Sequence, residues 1–423
     1  MIDSVEEEEA NAKRFRWYGA RDEDGNIVAA NSRWSAPMRQ PNDLSKSLVA
    51  LKQDATVIAV IEMSQSSWLV AGIVPGVERQ PLKKLAVNEQ VLLQLLHRWR
   101  KEATQAGRTI KRITVAYEAG RDGFWLARWL RAHQIEAYVI HPSSVPVSRE
   151  HRRAKTDRLD TELLKRAFLG WLRGEPNHCS MAAIPTLEDE DAKRPSRERE
   201  CLVSECTRIV NRLRANLARL GIRGFKLTLA RAMDQLTALR TPEGVSLPAN
   251  TLAQMRRDLA RLCFVREQIK EIERARAERL EQQPGHHSTA SVRLLSRVVG
   301  VGIETADMLV HEVFSRKLRD RKAVARYAGL TGAPNESGQK RRERGLSRAG
   351  NARVRRGMIH IAWGFLVHQK DSPLANWYRT RTAGGRAGLR KTMIVALARK
   401  LLIALWRLVT TGEMPAGLAL RPV

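Results

Sequence analysis

The sequence predicts a mixed α/β sheet domain in the N-terminal half, long helices in the middle and a mostly α-helical C-terminal domain. Three observations predict this arrangement. Between about 56 and 169, short runs of β-branched residues alternate with helically spaced apolar residues, as in a sheet with helices packed on it. Two long helical patterns follow between 198 and 281. From 291 to 410 the spacing is largely helical.

The N-terminal elements follow in chain order. A β-branched run that ends on an acid predicts the first strand, and a short polar turn separates it from the second. Further along, helical spacing alternates with buried strand-like runs, one of which also ends on an acid. The predicted strands are 56–62, 67–74, 112–119 and 136–140, and the predicted helices are 87–106, 122–133 and 157–169.

The rest of the chain divides where its composition changes. The first 52 residues lack a sustained period and predict a partly disordered extension. The helical patterns at 198–220 and 252–281 fit antiparallel helices, either as a plain bundle or as an oligomerising coiled-coil arm. We therefore expect an extension at 1–52, the sheet domain at 53–175, a linker and long helices at 176–290, a C-terminal domain at 291–412 and a tail at 413–423.

Charge is the strongest signal in the composition. The 423 residues include 74 Lys and Arg against 45 Asp and Glu, a formal net charge of +29. A surplus of this size indicates a nucleic-acid partner, because neutralising phosphates releases condensed counterions. Apolar stretches such as 392–408 are interrupted by charges, and the start lacks an apolar signal segment. The four cysteines lack zinc-ligand spacing. We expect a soluble cytoplasmic protein of bacterial type, associated with the nucleoid and not with a membrane.

Four acids form the most specific pattern of the N-terminal half. Glu62 and Glu118 end predicted strands, and Asp157 and Asp160 lie three apart at the start of a predicted helix, on one face. Each acid alone could be structural, but together they predict a site for two magnesium (or manganese) ions that would act on a phosphodiester. Asp54 is a poorer first ligand because it precedes its strand.

Two further segments predict contacts with nucleic acid. The basic loop before the third helix is either a solvated surface or a clamp on the DNA backbone. The glycines of Val299-Gly300-Val301-Gly302 resemble a helix-hairpin-helix turn, in which backbone amides approach phosphates, although tight helix packing explains them equally well. The candidate residues are Arg149, His151, Arg152, Arg153, Lys155 and Arg158 in the loop, and Gly300 and Gly302 in the turn.

Ser337 is the candidate nucleophile of the C-terminal half. It precedes Gly338 in a predicted turn, and 338–356 holds eight Lys and Arg against one acid. Such a field could stabilise a serine alkoxide and hold a phosphate in line. Two other residues are weaker candidates for the nucleophile. Ser347 is interpreted as a helix cap, and Tyr378 lacks the set of partner residues that a tyrosine recombinase would need. The cations assigned to nucleic acid are Lys340, Arg341, Arg342, Arg344, Arg348 and Arg353.

The chain resembles a known family over residues 56 to 400. In the first half the resemblance rests on Ala-Tyr-Glu118-Ala-Gly and Lys155-Thr156-Asp157-Arg158-Leu159-Asp160. In the second half it rests on the Gly-Val-Gly turn, Gly329-Leu330-Thr331, Glu336-Ser337-Gly338 and Gly345-Leu346-Ser347-Arg348-Ala349-Gly350-Asn351. These blocks resemble the insertion-sequence one-ten (IS one-ten) family of DEDD transposases, which are bridge-RNA-guided recombinases.

The resemblance implies more than the spacing does. It implies a RuvC-like (RNase H-like) fold for the sheet domain, and magnesium bound by Glu62, Glu118, Asp157 and Asp160. It also implies that Ser337 forms a covalent phosphoserine intermediate. A structured guide RNA that pairs with donor and target DNA, and a homo-oligomer (dimer or tetramer) on the DNA, follow from the resemblance alone. One position departs from the family, whose usual first acid is Asp where this chain has Glu62.

The function expected from these features is cutting and rejoining the DNA of a mobile insertion sequence. Nearly 180 residues separate Asp160 from Ser337, so we expect a composite site, which subunits could share. Two alternatives stay open from the sequence. The chain could be a RuvC-like metal-dependent endonuclease that hydrolyses DNA, or a nucleic-acid-binding protein without catalytic activity.

Overall fold

In a computed structural model of the protein, the described part of the chain divides into two units. The described residues are 46–47, 49–145, 156–175, 177–227, 231–337, 340–346, 349–385, 387–415 and 417–422. One unit ends at Glu188, and the other begins at Asp189. The expected extension at 1–52 lies almost wholly outside the described residues, and the five-part division of the chain stays a prediction.

The first unit is built on a five-stranded sheet with strand order β3-β2-β1-β4-β5. Strands β1, β4 and β5 are parallel to one another, whereas β2 and β3 are antiparallel to their neighbours. The strands are β1 (Thr56–Met63), β2 (Trp68–Ile73), β3 (Leu82–Leu85), β4 (Arg112–Glu118) and β5 (Glu136–Ile140), and the helices are α1 (Glu89–Gln105), α2 (Trp125–Ala132) and α3 (Asp157–Leu172). This mixed sheet with helices is compatible with the expected RNase H-like fold.

Both faces of the sheet are buried, as expected for a central parallel strand that carries β-branched residues on both sides. Along β1, Val57, Ala59 and Ile61 pack in a core with α1 and α2. Ile58 and Val60 point the other way and pack against α3. The four strands predicted from the sequence are confirmed, and β3 is an additional edge strand.

The helix predicted at 122–133 begins three residues later, at Trp125. Gly123 explains the delay, because its φ of +67° belongs to the left-handed region and cannot continue a right-handed helix. Residues 121–124 therefore form a turn at the end of the sheet. This turn places Asp122 beside the strand ends instead of on a helix.

The second unit begins with a helical arm. The pairs Arg199–Glu273 and Arg212–Asp258 join the two long helices in opposite chain directions, which makes them antiparallel, as expected. Leucine, isoleucine and methionine side chains fill the space between them. The arm comprises α5 (Arg194–Arg219), α6 (Ala232–Ala238) and α7 (Ala249–Gln282), and a short helix α4 (Leu187–Asp191) precedes it.

A helical domain with one hairpin completes the second unit. Its core is formed by apolar residues of all the larger helices. The helices are α8 (His287–Ser296), α9 (Ile303–Leu309) with a π-helical turn Val310–Phe314, α10 (Arg321–Tyr327), α11 (Ala352–His368), α12 (Pro373–Thr382) and α13 (Ala387–Thr411), and the hairpin consists of β6 (Gly332–Ser337) and β7 (Lys340–Leu346). Among the described residues, no helix is long and apolar enough to cross a membrane.

Candidate metal cleft and serine hairpin

Glu62 and Glu118 lie side by side at the ends of two neighbouring strands. Strands β1 and β4 are parallel, with Ile61 opposite Tyr117, so the same register places Glu62 next to Glu118. Neighbouring strands are about 4.8 Å apart. Because side chains alternate along a strand, both acids belong to the sheet face on which α3 packs. The fold thus gathers the two strand acids at one point of the sheet.

The other two predicted acids lie in the first turn of α3. Thr156 caps this helix, since its hydroxyl accepts a hydrogen bond from the backbone N–H of Leu159 at 3.3 Å. Asp157 is exposed and Asp160 is half-buried. A carboxylate in a first turn is also favoured by the helix dipole, so this position alone does not assign a function.

A cleft of about 540 Å³ collects three of the four predicted acids. We call it the acid cleft. It is lined by Glu62, Met63, Ser64, Gln65, Glu118, Gly120, Arg121, Asp122, Pro142, Val145, Asp160, Leu163 and Leu164. Asp157 is not among the lining residues, and Asp122 supplies the fourth carboxylate instead. The sequence assigned Asp122 only to a helix start, so its place in the cleft was missed.

The donors of the acid cleft suit a hard divalent cation, because carboxylate oxygens are the ligands such ions prefer. Their spacing is wider than a bound ion requires. Within the described part of the chain, no three acids, histidines or cysteines are grouped closely enough to hold one metal ion. The donor chemistry therefore fits a metal, and the assignment of the four ligands stays a prediction. Asp54 does not line the acid cleft, since it lies before β1 and pairs with Arg108 at 3.3 Å.

Ser337 lies at the end of a strand, which corrects its expected position within a turn. It is the last residue of β6 and is paired with Lys340, the first residue of β7. The two residues that join the strands, 338–339, are outside the described residues. We call β6 and β7 the serine hairpin. Its register also sets Glu336 opposite Arg341 and Asn335 opposite Arg342, so the basic run forms one strand of the hairpin.

Two glycines close the base of the serine hairpin, and we call this pair the glycine clasp. Gly329 and Gly350 have φ values of +65° and +84°. A Cβ on Gly350 would lie 2.6 Å from the backbone N of Gly329 and 2.6 Å from the carbonyl oxygen of Arg326. No side chain fits there, so the two ends of the hairpin segment are held in direct backbone contact.

Asn351, and not Ser347, caps the helix that follows the hairpin. The side-chain oxygen of Asn351 accepts hydrogen bonds from the backbone N–H groups of Arg353 and Val354 at 3.0 and 3.3 Å. The helix begins at Ala352, so the interpretation of Ser347 as its cap is wrong. Ser347 itself is outside the described residues.

The glycine turn before α9 packs against α11 at ordinary van der Waals distances. Gly300 has a φ of +87°, and a Cβ there would lie 3.7 Å from the side chain of His368 and 3.9 Å from the Cα of Phe365. Gly302 precedes α9, at whose start the carboxylate of Glu304 is paired with two arginines. An acid near this helix start disfavours a phosphate, so contact with nucleic acid at Gly300 and Gly302 stays a prediction.

Tyr378 is unsuited to nucleophilic attack. Its side chain is buried, and its hydroxyl lies 3.5 Å from the carbonyl oxygen of Arg390. Its ring packs edge-on against Trp363. These contacts make Tyr378 part of the helical core and leave Ser337 as the candidate nucleophile.

Arg353 points to acids of the protein, although the sequence assigned it to nucleic acid. It is paired with Glu200 of the arm and lies 3.8 Å from Glu312. A guanidinium held in this way has a structural role. Arg158 is exposed on α3 and available to a ligand. The remaining predicted cations are outside the described residues or lie on β7, where only the backbone is described; they are Arg149, His151, Arg152, Arg153, Lys155, Lys340, Arg341, Arg342, Arg344 and Arg348.

Comparisons with known proteins match both halves of the chain. The model of the IS116/IS110/IS902 transposase family matches residues 292–379, which include the serine hairpin. A DEDD-type IS110 transposase model matches residues 76–222, which include three of the predicted acids and begin after Glu62. A protein of Sinorhizobium fredii named "Putative transposase y4rJ" is 39% identical over 407 residues, covering 93% of this chain and 100% of that protein. No solved structure matches.

These matches define the class of protein as a DNA transposase, an enzyme that cuts and rejoins DNA. The chain belongs to the IS116/IS110/IS902 family of transposases. DEDD transposases are generally dependent on divalent metal ions, which agrees with the carboxylates of the acid cleft. The alternative of a nucleic-acid-binding protein without catalytic activity is therefore not supported by the family matches.

Proposed function

We propose that this transposase breaks and rejoins DNA through Ser337, aided by magnesium held by Glu62, Glu118, Asp157 and Asp160. The observation that carries this proposal is the acid cleft, which is lined by Glu62 and Glu118 of the sheet and by Asp160 of α3. Carboxylates at the carboxyl ends of parallel strands lie where open sheets bind their ligands. The position of Ser337 at the end of β6, opposite the basic strand β7, supports its role.

The carboxylates would hold one or two ions that supply positive charge to the phosphodiester oxygens. Glu62 is one methylene longer than the Asp usual at this position, so it reaches further from the strand end. Asp122 and Arg121 line the same cleft and would help to orient the substrate. The basic residues around 149–158 and on β7 would neutralise the DNA backbone.

Ser337 would act as a nucleophile on phosphorus. Its hydroxyl oxygen forms a bond to the phosphorus, and one bridging oxygen of the phosphodiester leaves as a DNA hydroxyl together with a proton. The phosphoserine conserves the energy of the broken bond. A hydroxyl of a second DNA end then attacks the same phosphorus and releases Ser337, which rejoins the strands without an external energy source.

Substitution of the serine tests this chemistry. We expect Ser337→Ala to abolish the covalent protein–DNA adduct on end-containing DNA, while Ser347→Ala retains it. Adducts are measured as protein-linked radiolabelled DNA after denaturation. If strands were cut without an adduct, and the cutting survived Ser337→Ala but not Asp157→Asn, the chain would be a RuvC-like nuclease that hydrolyses DNA.

We further propose that a structured guide RNA directs the enzyme to donor and target DNA. The net charge of +29 and the family resemblance support an RNA partner. We expect RNA encoded beside the reading frame to copurify with the protein, and RNase treatment to abolish sequence-directed recombination. Recombination at the same sites after complete RNase digestion would remove the RNA from the mechanism.

The acid cleft and the serine hairpin belong to different units, so we propose that the active site is composite and completed between subunits of a homo-oligomer. Mixing Ser337→Ala protein with Asp157→Asn protein tests this arrangement. Mixed assemblies should regain part of the recombination activity, because some sites then combine two intact halves. Assemblies that stay inactive after proven subunit exchange would place both halves in one chain.

A further inference from the structure

Glu312 is a buried carboxylate of the second unit for which the proposed chemistry has no use. It lies in the π-helical turn Val310–Phe314 that continues α9. Its side chain is only 2% exposed. A buried charge is costly unless cations and hydrogen bonds compensate it. Short π-helical turns within helices are frequent at functional sites.

On one side Glu312 holds the helical arm. Arg197, in the first turn of α5, donates from Nε to Oε1 of Glu312 at 2.7 Å and from Nη2 to Oε2 at 3.0 Å. Two parallel hydrogen bonds from one guanidinium fix direction as well as distance. The start of the arm is therefore held rigidly against the π-helical turn.

On the other side Glu312 holds the point where the serine hairpin returns to the helices. The side-chain amide of Asn351 donates from Nδ2 to Oε2 of Glu312 at 3.0 Å and lies 3.3 Å from the hydroxyl of Tyr327. The backbone N–H of Asn351 donates to the carbonyl oxygen of Tyr327 at 2.6 Å. Asn351 thus joins the buried acid to the helix before the hairpin and, as its cap, to the helix after it.

Asn351 lies close to the hairpin along the chain. Only residues 347–350 separate Asn351 from the end of β7 at Leu346. One residue of the glycine clasp, Gly350, lies within this connection, and its backbone packs against that of Gly329 in the chain that enters the hairpin. Gly350 is bonded to Asn351, so we expect a shift of Asn351 to displace the backbone contact between Gly350 and Gly329 at the hairpin base.

We propose that Arg197, Glu312 and Asn351, together the Glu312 network, set the orientation of the serine hairpin relative to the arm. Glu312 is in this view a positioning residue that acts on Ser337 through the hairpin base. This inference rests on the proposed role of Ser337 as nucleophile. All three residues belong to the second unit, so the network is complete within one chain.

The charge of Glu312 also fixes the orientation of the Asn351 amide. Burial alone would raise the pKa of Glu312, but the hydrogen bonds and charge of Arg197, with Asn351 and Arg353, hold that pKa below its ordinary value. An ionised carboxylate only accepts hydrogen bonds, so Asn351 must turn its NH₂ group toward it. The amide oxygen is thereby left to cap α11.

Two variants with matched controls test the network. Arg197→Lys keeps the charge but loses the two-point contact, and Glu312→Gln removes the charge. The controls are Arg212→Lys and Asp258→Asn, because Arg212 makes the same two-point contact with buried Asp258 at 2.9 and 2.7 Å within the arm. Three quantities are measured on the full chain: the unfolding midpoint, amide hydrogen exchange of the hairpin without DNA, and the rate of adduct formation at saturating DNA.

We expect Arg197→Lys and Glu312→Gln to speed amide exchange in β6 and β7 and to slow adduct formation by about tenfold. The controls should lose similar stability and leave both hairpin measurements unchanged. Should Glu312→Gln fail to fold, Arg197→Lys remains, because Arg197 is 47% exposed. Equal exchange and equal adduct rates in network and control variants would overturn the inference. Exchange is read without DNA, so a failure of the Ser337 chemistry would show separately, as adducts that persist in Ser337→Ala.

Discussion

The two halves of the proposed active site are held in place by different means. In the first unit, backbone pairing between β1 and β4 places Glu62 beside Glu118, and the buried sheet holds both strand ends. In the second unit, Ser337 lies at the end of a two-stranded hairpin whose base is held by the glycine clasp and Asn351. A sheet position depends on a whole core, whereas a hairpin position depends on a few contacts. We therefore expect the serine half to be the more easily displaced by single substitutions.

The largest effect is expected from a carboxylate of the acid cleft. Glu118→Gln keeps the shape of the side chain and removes the charge that would hold a metal. We expect DNA cleavage to fall roughly a thousandfold, since metal charge contributes several kcal/mol to such reactions. The unfolding midpoint should change little. Glu102→Gln is the control and should cleave normally, because Glu102 is a half-buried acid on α1 that pairs with Arg98 and does not line the cleft. A Glu118→Gln enzyme as active as this control would remove Glu118 from the site.

The next largest effect concerns the fourth carboxylate of the proposed metal site. The family resemblance assigns it to Asp157, whereas the acid cleft contains Asp122. We expect Asp157→Asn to abolish magnesium-dependent cleavage and Asp122→Asn to reduce it by about tenfold through substrate positioning. Both are measured as initial cleavage rates over a range of magnesium concentrations. The opposite order, with the greater loss in Asp122→Asn, would transfer the ligand role to Asp122.

The glycine clasp offers a smaller effect in the second unit. Gly350 and Gly345 share a φ of +84°, but a Cβ on Gly345 would have no heavy atom within 4 Å. We expect Gly350→Ala to cost about 3 kcal/mol of unfolding free energy, from backbone strain and overlap, and Gly345→Ala only about 1 kcal/mol, from strain alone. Urea unfolding of both variants measures the difference. Equal losses would mean that the hairpin base tolerates a side chain.

The smallest expected difference is in acid sensitivity. In the first unit, hydrogen bonding by Arg112 lowers the pKa of Glu136. In the second unit, burial raises the pKa of Glu312, but the hydrogen bonds and charge of Arg197 outweigh burial and lower it. A depressed folded-state pKa contributes stability that is present above the unfolded value, about 4.3 for Glu, and lost as pH falls through the folded value. Urea midpoints between pH 6 and 3 measure this loss.

Glu136→Gln should reduce the pH dependence of the urea midpoint less than Glu312→Gln does. Glu136 is 39% exposed, so water screens its ion pair with Arg112. Glu312 is almost completely buried, so its charge is compensated by protein groups alone. If the two substitutions reduced the pH dependence of the urea midpoint equally, burial would not explain a difference in stability between the two ion pairs.

Much of the first unit could be predicted from the sequence because its signals are local. Apolar β-branched runs mark the central strands, and the acids at their ends are visible by position. β3 was missed because Leu82–Leu85 is a short, exposed edge strand. The two lysines in its middle remove the run of apolar residues by which a strand is predicted. Asp122 was missed because the turn that places it depends on the left-handed conformation of Gly123.

The second unit was less predictable because its key contacts are long-range. The serine hairpin is made mostly of glycine, proline, asparagine and charged residues, which do not favour strands, and its strands form by pairing with each other. The sequence around Glu312 does not reveal its partners, since these are Arg197 at the start of α5 and Asn351, the cap of α11. The long helices of the arm were predicted well, although α5 starts four residues earlier than its pattern, where Pro195 fits the first turn.

The identity of the residue that becomes linked to DNA tests the central claim most directly. The wild-type enzyme is incubated with end-containing DNA and magnesium, the reaction is stopped with denaturant, and the DNA-linked peptide is sequenced by mass spectrometry. The two-part site predicts one linked peptide, with the nucleotide attached to Ser337, and no adduct in Glu118→Gln. A link to any other residue, or cleavage that leaves no linked peptide at all, would contradict the account.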